Sequence, residues 1–399
     1  MEGARSLVDS PLSRRRMLGL SAAALGLTAA GCSVTGAGAA QRVVAPPPAG
    51  VLAANFNQSL DAIDFAALAA VSATWLRGFY LMQNADRGEV ADQPGMRKLT
   101  DAIGQGYGTV LSLKFAYDNG LPAPGSGAMA TALARMDKVL AVVMGKVDIL
   151  VIGNEPFYEC GGKTANLNEF YEALAQHAID YRREHAGTGK QTQIYLGALT
   201  RLENPRNDWL PHLDRWLDFA RGNHDIAGTD CHPHVAAVGD CRKYLDRILP
   251  RLRQDQKFLA TEFSLVKLWA KHFRDPVSAR FADEYHVPKD TPVWQVARDA
   301  AEHPVPQAEW NDFLLSQPWF ADQKRCMAEM MAMFREHDRC AVAAYGITQD
   351  TGATHHIGPD KKPWLFNSIF CPYTVQRGHD GLPGQNTTWR DEFRALQHL

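Results

Sequence analysis

The stretch 151–156, Val-Ile-Gly-Asn-Glu-Pro, is the part of this 399-residue chain from which the fold is inferred. It closes an apolar run, residues 147–152, of the kind that forms a buried strand. Pro156 cannot donate a hydrogen bond to a sheet, so the strand has to end beside Glu155. Parallel α/β folds keep their reactive groups at the carboxyl ends of strands, which makes Glu155 a candidate catalytic residue.

A second stretch, residues 257–263 (KFLATEF), has the same construction. It is again apolar and again ends near a glutamate, Glu262. Two strand-end carboxylates that face each other are the arrangement that glycoside hydrolysis uses. The pair therefore predicts this chemistry, provided that the fold brings the two glutamates together.

Strand-like runs recur along the chain, with helix-like segments between them. Strands are predicted near residues 51–57, 73–80, 109–116, 147–154, 193–199, 226–231, 257–262 and 341–347. Helices are predicted, for example, at 61–70, 129–144 and 168–183, the last of them capped by Asn168. Eight alternating strands and helices over residues 51–399 predict an α/β fold, the (β/α)8 or TIM barrel. A doubly wound open sheet is the alternative, although no glycine-rich phosphate loop follows any strand.

Two long insertions are predicted, one after strand seven and one after strand eight. The first occupies most of the chain between Glu262 and a helix at 323–337, and it contains Trp269. The second, residues 350–389, is rich in Gly, Pro and His. Loops of this length in a compact domain usually form functional walls or lids.

The strand count also predicts how far apart the two glutamates lie. Eight strands about 4.8 Å apart and tilted by roughly 36° give a barrel radius of about 7–8 Å. Strands four and seven then stand about 14 Å apart across the barrel, and each glutamate reaches inward by roughly 4 Å. The carboxyl groups are expected about 5–6 Å apart, which is the separation of a retaining rather than an inverting glycosidase.

The Asn-Glu-Pro motif of strand four and the Thr-Glu pair of strand seven resemble the clan A glycoside hydrolases, a superfamily of retaining (β/α)8 enzymes. The resemblance covers the mature chain at the level of strand order and is specific only around these two motifs. It implies that Glu155 is the acid/base and Glu262 the nucleophile. It also implies that Asn154 binds the sugar 2-hydroxyl and that Arg77, on strand two, supports the nucleophile and keeps its pKa low.

The resemblance extends to two further strands. The sixth strand runs into residues 230–234 (DCHPH), where the family often has a histidine or tyrosine near the nucleophile, so His232 and His234 are both candidates. The tryptophan common on strand eight is missing. Tyr345 on that strand and Trp269 in the first insertion are the aromatic candidates for substrate contact.

Two other functions remain open. His232, His234 and Asp230 are side chains that zinc accepts, so a metal-dependent barrel hydrolase is possible, although it would need further ligands at other strand ends. A non-catalytic carbohydrate-binding lipoprotein of the cell envelope is the second alternative, but it has no need of two carboxylates at catalytic spacing. The favoured reading is a retaining glycosidase without metal or cofactor that acts on an oligo- or polysaccharide.

The N-terminal forty residues resemble an export signal. Arg14 and Arg15 precede an apolar stretch, residues 17–30, and resemble a twin-arginine signal. The sequence Ala-Ala-Gly-Cys that ends at Cys32 resembles a lipobox, in which this cysteine is acylated, and an Ala-x-Ala site at 37–39 is the competing cut. Residues 1–40 are therefore assigned to the signal and its processing, 41–50 to a Pro/Ala linker, and the mature protein to the periplasm or cell surface.

Composition restricts the partners. A formal net charge of −2 gives no reason to expect nucleic acid. Carbohydrate is the expected partner, membrane contact is expected only through a lipid at Cys32, and the protein is expected to be a monomer. Six cysteines remain after Cys32. An oxidising compartment permits disulfides, and the shortest loops favour Cys231–Cys241 and Cys326–Cys340.

The lipobox hypothesis predicts the behaviour of one variant. Cys32→Ala removes the only thiol that the lipobox could acylate, so the protein is expected to move from the membrane fraction to the soluble extracytoplasmic fraction. Fractionation and immunoblotting measure this, with Ser33→Ala as the matched control. A Cys32→Ala protein that stays with the membranes would show that the lipobox interpretation is wrong.

Overall fold

The computed structural model describes residues 48–57, 59–117, 119–185 and 191–397. The export signal, the lipobox at Cys32 and most of the linker lie outside the described residues. None of the helices in the described ranges combines the length and the apolar character that crossing a bilayer requires.

Eight parallel strands form a closed barrel in which each strand pairs with its neighbours in chain order and the eighth pairs with the first. This confirms the predicted (β/α)8 fold. The strands are β1 (Val51–Phe56), β2 (Trp75–Leu81), β3 (Gly108–Lys114), β4 (Ile149–Ile152), β5 (Gln193–Thr200), β6 (Ile226–His232), β7 (Lys257–Ala260) and β8 (Cys340–Gly346).

Helices follow the strands on the outside of the barrel. Those between β1 and β7 are α1 (Phe65–Ala70), α2 (Pro94–Gly104), α3 (Gly127–Val143), α4 (Pro156–Glu159), α5 (Leu167–Glu184), α6 (Leu210–Gly222) and α7 (Cys241–Ile248). Six more lie between β7 and β8: α8 (Val266–His272), α9 (Ala279–Tyr285), α10 (Val293–Glu302), α11 (Gln307–Leu315), α12 (Pro318–Ala321) and α13 (Cys326–Arg335). After β8 come α14 (Thr351–Thr354) and α15 (Thr387–Leu396).

Two predicted helix starts are wrong. Asn168 does not cap α5, which begins after Asn166 in a left-handed conformation. Instead, Asn168 lies inside the helix, buried, and its amide donates to the backbone oxygen of His212. Helix α1 begins at Phe65 rather than at residue 61, because the side chain of Asp64 accepts hydrogen bonds from two backbone amides of the first turn.

The predicted disulfides are also wrong. The six cysteines of the described chain are buried free thiols. Cys231, for instance, points from β6 toward β7, where its sulfur donates to the Leu259 carbonyl oxygen at 3.2 Å. Burial raises the pKa of the Cys241 and Cys340 thiols to about 12. These sulfurs act as small apolar groups that fill the core. The short spacing between two cysteines in the sequence does not distinguish this role from a disulfide.

Strand β4 is shorter than predicted and stops at Ile152, because the next residue leaves the extended conformation. Gly153 has a φ of +99°. A Cβ atom there would stand 2.3 Å from the Gly197 carbonyl oxygen of β5. Glycine at this position therefore turns Asn154 and Glu155 out of the strand while the backbones of β4 and β5 remain close together.

Gly153→Ala is expected to destabilise the protein more than the same replacement at another glycine with a positive φ. Gly106 has a φ of +86°, but a Cβ there meets nothing within 4 Å. Gly106→Ala should cost about 1–3 kcal/mol for the backbone conformation alone, whereas Gly153→Ala adds the clash with β5. Urea denaturation of both variants measures this difference, and equal losses would show that β5 relaxes without cost.

Candidate active site

Glu155 and Glu262 both lie just beyond the carboxyl ends of their strands, at the end of the barrel called here the mouth. The Glu262 side chain is nearly buried, while that of Glu155 is 26% exposed. Nδ1 of His232 lies 3.3 Å from Oε1 of Glu155 and 3.8 Å from Oε2 of Glu262. Because one atom is close to both, these two carboxylate oxygens lie no more than about 7 Å apart, and the carboxylates face a common space.

Arg77 forms a buried ion pair with Glu262. Its guanidinium is completely buried and donates to Oε1 of Glu262 at 2.6 Å. It also donates to Asn55 on β1, to Ser112 on β3, and to Oδ1 of Asn154 after β4 at 2.5 Å. One side chain from β2 therefore connects residues at the ends of four other strands.

The surroundings of Glu262 favour its ionised form. Burial by itself would raise the pKa of this carboxyl group, but the positive charges of His232 and Arg77 and the contact with His234 hold it well below its usual range. Asn57, with its amide oriented to donate, adds hydrogen bonds of 2.9 and 3.3 Å to the two carboxylate oxygens.

Sequence left open which histidine lies near Glu262, and the structure places both there. His234 has Nε2 at 3.5 Å from Oε2 of Glu262 and Nδ1 at 2.8 Å from the Ser264 hydroxyl. His232 lies between the two glutamates and is completely buried. Burial lowers the pKa of His232, but the charges of Glu262, Asp230 and Glu155 outweigh it, so the net shift is upward.

A buried chain of hydrogen bonds orients the His232 ring. Thr261 donates to Asp230 twice, through its backbone amide at 3.0 Å and through its hydroxyl at 2.5 Å. Because the hydroxyl proton points to Asp230, the Thr261 oxygen accepts from Nε2 of His232 at 3.0 Å. Nε2 therefore carries hydrogen, and Nδ1 is the nitrogen that faces the two glutamates.

Glu155, His232 and His234 also form a group whose donor atoms lie within 4.8 Å of one another, close enough to hold a metal ion. Their other contacts fit this role poorly. The His232 nitrogen that faces the group is within reach of two carboxylates, and the buried Arg77 cation is bonded to one of them. A divalent ion would have to share this space with a permanent positive charge. Glu155, His232 and His234 are better suited to a network of charged hydrogen bonds than to a metal site.

Two predicted substrate contacts lie outside the mouth. Tyr345 is buried in the outer layer, with its ring centroid 5.3 Å from that of Phe263. Trp269 is completely buried, and its indole nitrogen donates to Asn367 at 2.8 Å. Asn367 itself lines the cavity beside Glu262, so Trp269 supports that wall from behind.

A tryptophan does reach the site, but from a loop. Trp364, in the insertion after β8, lines the cavity beside Glu262, and its ring lies edge-on to His234 with centroids 4.7 Å apart. Trp364 was not predicted from the sequence as a site residue, and neither were Asn55, Asn57 and Ser112. The one available signal was the length of the insertion.

No known protein-family model matches the sequence, and no curated protein matches it either. The fold is similar to that of solved structures. A thermostable mutant of a xylanase from Cellvibrio japonicus has a TM-score of 0.51 and 12% identity, with 89% of this chain and 98% of that chain covered. A GH10 protein from Paenibacillus barcinonensis (TM-score 0.49, 11% identity) covers 88% and 97% of the two chains. An endo-1,4-beta-xylanase from Penicillium canescens (0.49, 12%) covers 87% and 93%. At 12% identity the similarity to the Cellvibrio japonicus xylanase shows a shared barrel fold.

The position of His232 predicts a pH dependence of stability. Its folded pKa lies above the unfolded value of about 6.5. Between these two values the folded state binds more protons, so the free energy of unfolding falls as pH rises. The contribution is complete below about pH 6.5 and is lost as pH passes the folded pKa. His232→Gln should remove this slope in urea unfolding measured across the range, and the exposed His379→Gln should keep it. A His232→Gln curve parallel to that of the wild type would contradict the assignment.

Proposed function

We propose that this protein is a retaining glycoside hydrolase that cleaves β-glycosidic bonds of an oligo- or polysaccharide. The observation that carries the proposal is the unequal environment of two facing carboxylates. Glu262 is buried among cations that keep it ionised, while Glu155 is more open to the mouth and shares His232 with it. A double displacement needs one carboxylate as nucleophile and one carboxyl group as proton donor.

In the first step Glu262 attacks the anomeric carbon and the bond to the leaving oxygen breaks. Glu155 gives its proton to that oxygen, so the alcohol departs neutral and a glycosyl ester of Glu262 remains. In the second step Glu155, now a carboxylate, takes a proton from water. The resulting hydroxide attacks the same carbon and releases Glu262.

The residues around Glu262 prepare it for both steps. Arg77 and Asn57 fix the orientation of the carboxylate, so little reorganisation accompanies attack. Asn154 accepts from Arg77 through its oxygen, which leaves the amide nitrogen as the group to bind the sugar 2-hydroxyl. This role for Asn154 follows the resemblance to clan A enzymes.

We also propose that the protein acts outside the cytoplasm. The N-terminal pattern supports export and a lipid anchor at Cys32. The proposed location is therefore outside the cytoplasm, where polysaccharide is accessible. A non-catalytic carbohydrate-binding protein on the same barrel is the competing function, and it predicts no turnover at all.

Replacing each glutamate separately tests the division of roles. Glu262→Ala should abolish turnover of every aryl glycoside in a panel of sugars. Azide should then yield a glycosyl azide of inverted configuration, because the small anion attacks from the vacated face. Glu155→Ala should still form the glycosyl ester from substrates with good leaving groups and hydrolyse it slowly, with a loss of about 10²–10⁴-fold. Azide should rescue this variant and give the retained configuration. Product configuration is read by NMR.

Glu302→Ala, a surface replacement on α10, is the control and should keep wild-type rates. Exchanged configurations would mean that the two roles are swapped. Wild-type turnover that EDTA abolishes would favour a metal-dependent hydrolase. Absence of wild-type turnover across the panel would leave the binding function.

A further inference from the structure

Two cavities lie side by side at the mouth. The first holds about 40 Å³ and is lined by Glu262, His234 and Trp364, among others. The second holds about 260 Å³ and lies between the segments that follow β1 and β8. The two cavities share Asn57, Thr348 and Asp350, so the second lies next to the space beside Glu262.

The lining of the second cavity has the chemistry of a sugar site. Tyr373, a residue that is 37% exposed, lines this cavity together with Pro372 and Pro383. In the part of the chain that the structure describes, the large hydrophobic side chains left exposed are Tyr158, Leu315 and Tyr373. A single exposed side chain is ordinary at a protein surface, so the relevant observation is that Tyr373 lines this cavity. A tyrosine ring in such a place can stack on the apolar face of a pyranose.

The polar groups of the same cavity are held in fixed positions. The Gln349 side-chain nitrogen donates to Leu365 and Thr374. Asp64 and Asp350 accept from the first turns of α1 and α14, and Arg377 donates to the Gly381 carbonyl oxygen. Carboxylates fixed in this way lose little freedom when a ligand binds, so Asp64 and Asp350 suit hydrogen bonding to hydroxyl groups. Gln349 uses both of its N–H donors within the protein and supports the wall of the cavity.

The position of this cavity defines which sugar it receives. In a double displacement the nucleophile contacts the sugar whose anomeric carbon is attacked, and the acid contacts the leaving group. The second cavity adjoins the cavity beside Glu262 and is lined by segments that follow β1 and β8, whereas Glu155 follows β4 on the opposite side of the barrel. It therefore continues the cleft on the side away from the leaving group.

We propose that this second cavity is a subsite for the sugar that precedes the one being cleaved, with Tyr373 as its stacking platform. The inference rests on the proposed glycosidase function and deepens it. Its volume lies just below the range of about 300–1,000 Å³ typical of small-molecule pockets, which suits a single ring. The preferred substrate then has at least two β-linked sugars before the scissile bond, so the enzyme is not one that removes single terminal sugars.

The test compares two substrates of the same sugar, an aryl β-monoside and the aryl β-bioside with a second ring at its non-reducing end. The wild type should have the higher kcat/KM for the bioside. Tyr373→Ala should lower kcat/KM for the bioside by about 10–200-fold, the range that a lost contact in a pocket produces, and should leave the monoside value unchanged. Tyr373→Phe should keep most of the preference, because it keeps the ring.

Leu315→Ala, an exposed replacement on α11, is the matched control and should change neither value. If Tyr373→Ala lowers both values equally, or leaves the bioside preference intact, the subsite inference is overturned while the glycosidase function stands. If the wild type turns over neither substrate for any sugar of the panel, the proposed function fails and the subsite falls with it.

Discussion

The buried guanidinium of Arg77 is the constraint on which the mouth of this barrel depends. A charge without solvent has to be satisfied by the protein, and an uncompensated one costs several kcal/mol or more. Arg77 meets this requirement with Asn55, Ser112, Asn154 and Glu262, which come from four different strands. Any displacement of β1, β3, β4 or β7 relative to β2 would leave part of this charge unpaired. The hydrogen bonds of Arg77 and its ion pair with Glu262 thus stabilise the register of these strands and the position of the carboxylate together.

His232 adds a second positive charge near the other carboxylate oxygen of Glu262. Its ring is oriented by hydrogen bonds that run through Thr261 to Asp230 behind it. The Asp230–Thr261 chain fixes one ring nitrogen as a donor, so the other meets both glutamates. A charge that moves from Glu262 to Glu155 during a double displacement would stay within reach of this nitrogen. In the proposed mechanism this nitrogen would stabilise each carboxylate in turn, which an ion pair with a single glutamate could not do.

The sequence predicted the features that depend on residues adjacent in the chain, above all the strands. Apolar runs located all eight strands, but Pro156 did not mark the end of β4, which stops at Ile152 because Gly153 leaves the extended conformation. Tyr345 was misplaced because β8 is apolar on both faces, so no alternation distinguishes the inside of the barrel from the outside. Trp269 was misplaced because the first insertion folds into helices with their own aromatic core. Asn55, Asn57 and Ser112 carry no local signal, since only closure of the barrel brings them to Arg77 and Glu262.

The insertion after β8 shows how a loop can supply a rigid wall. Gly346 has no side chain, and a Cβ there would stand 2.9 Å from the Asn367 carbonyl oxygen. The returning chain uses this space: Ile369 donates to Gly346, and Phe370 donates to Ile347. The segment 367–370 is thereby bonded to the end of the barrel as if it extended the sheet. Along the chain, Trp364 precedes this anchored segment and Tyr373 follows it. A sequence without the strand-eight tryptophan can therefore still present aromatic rings at the mouth, because one glycine lets the loop pack against the strand.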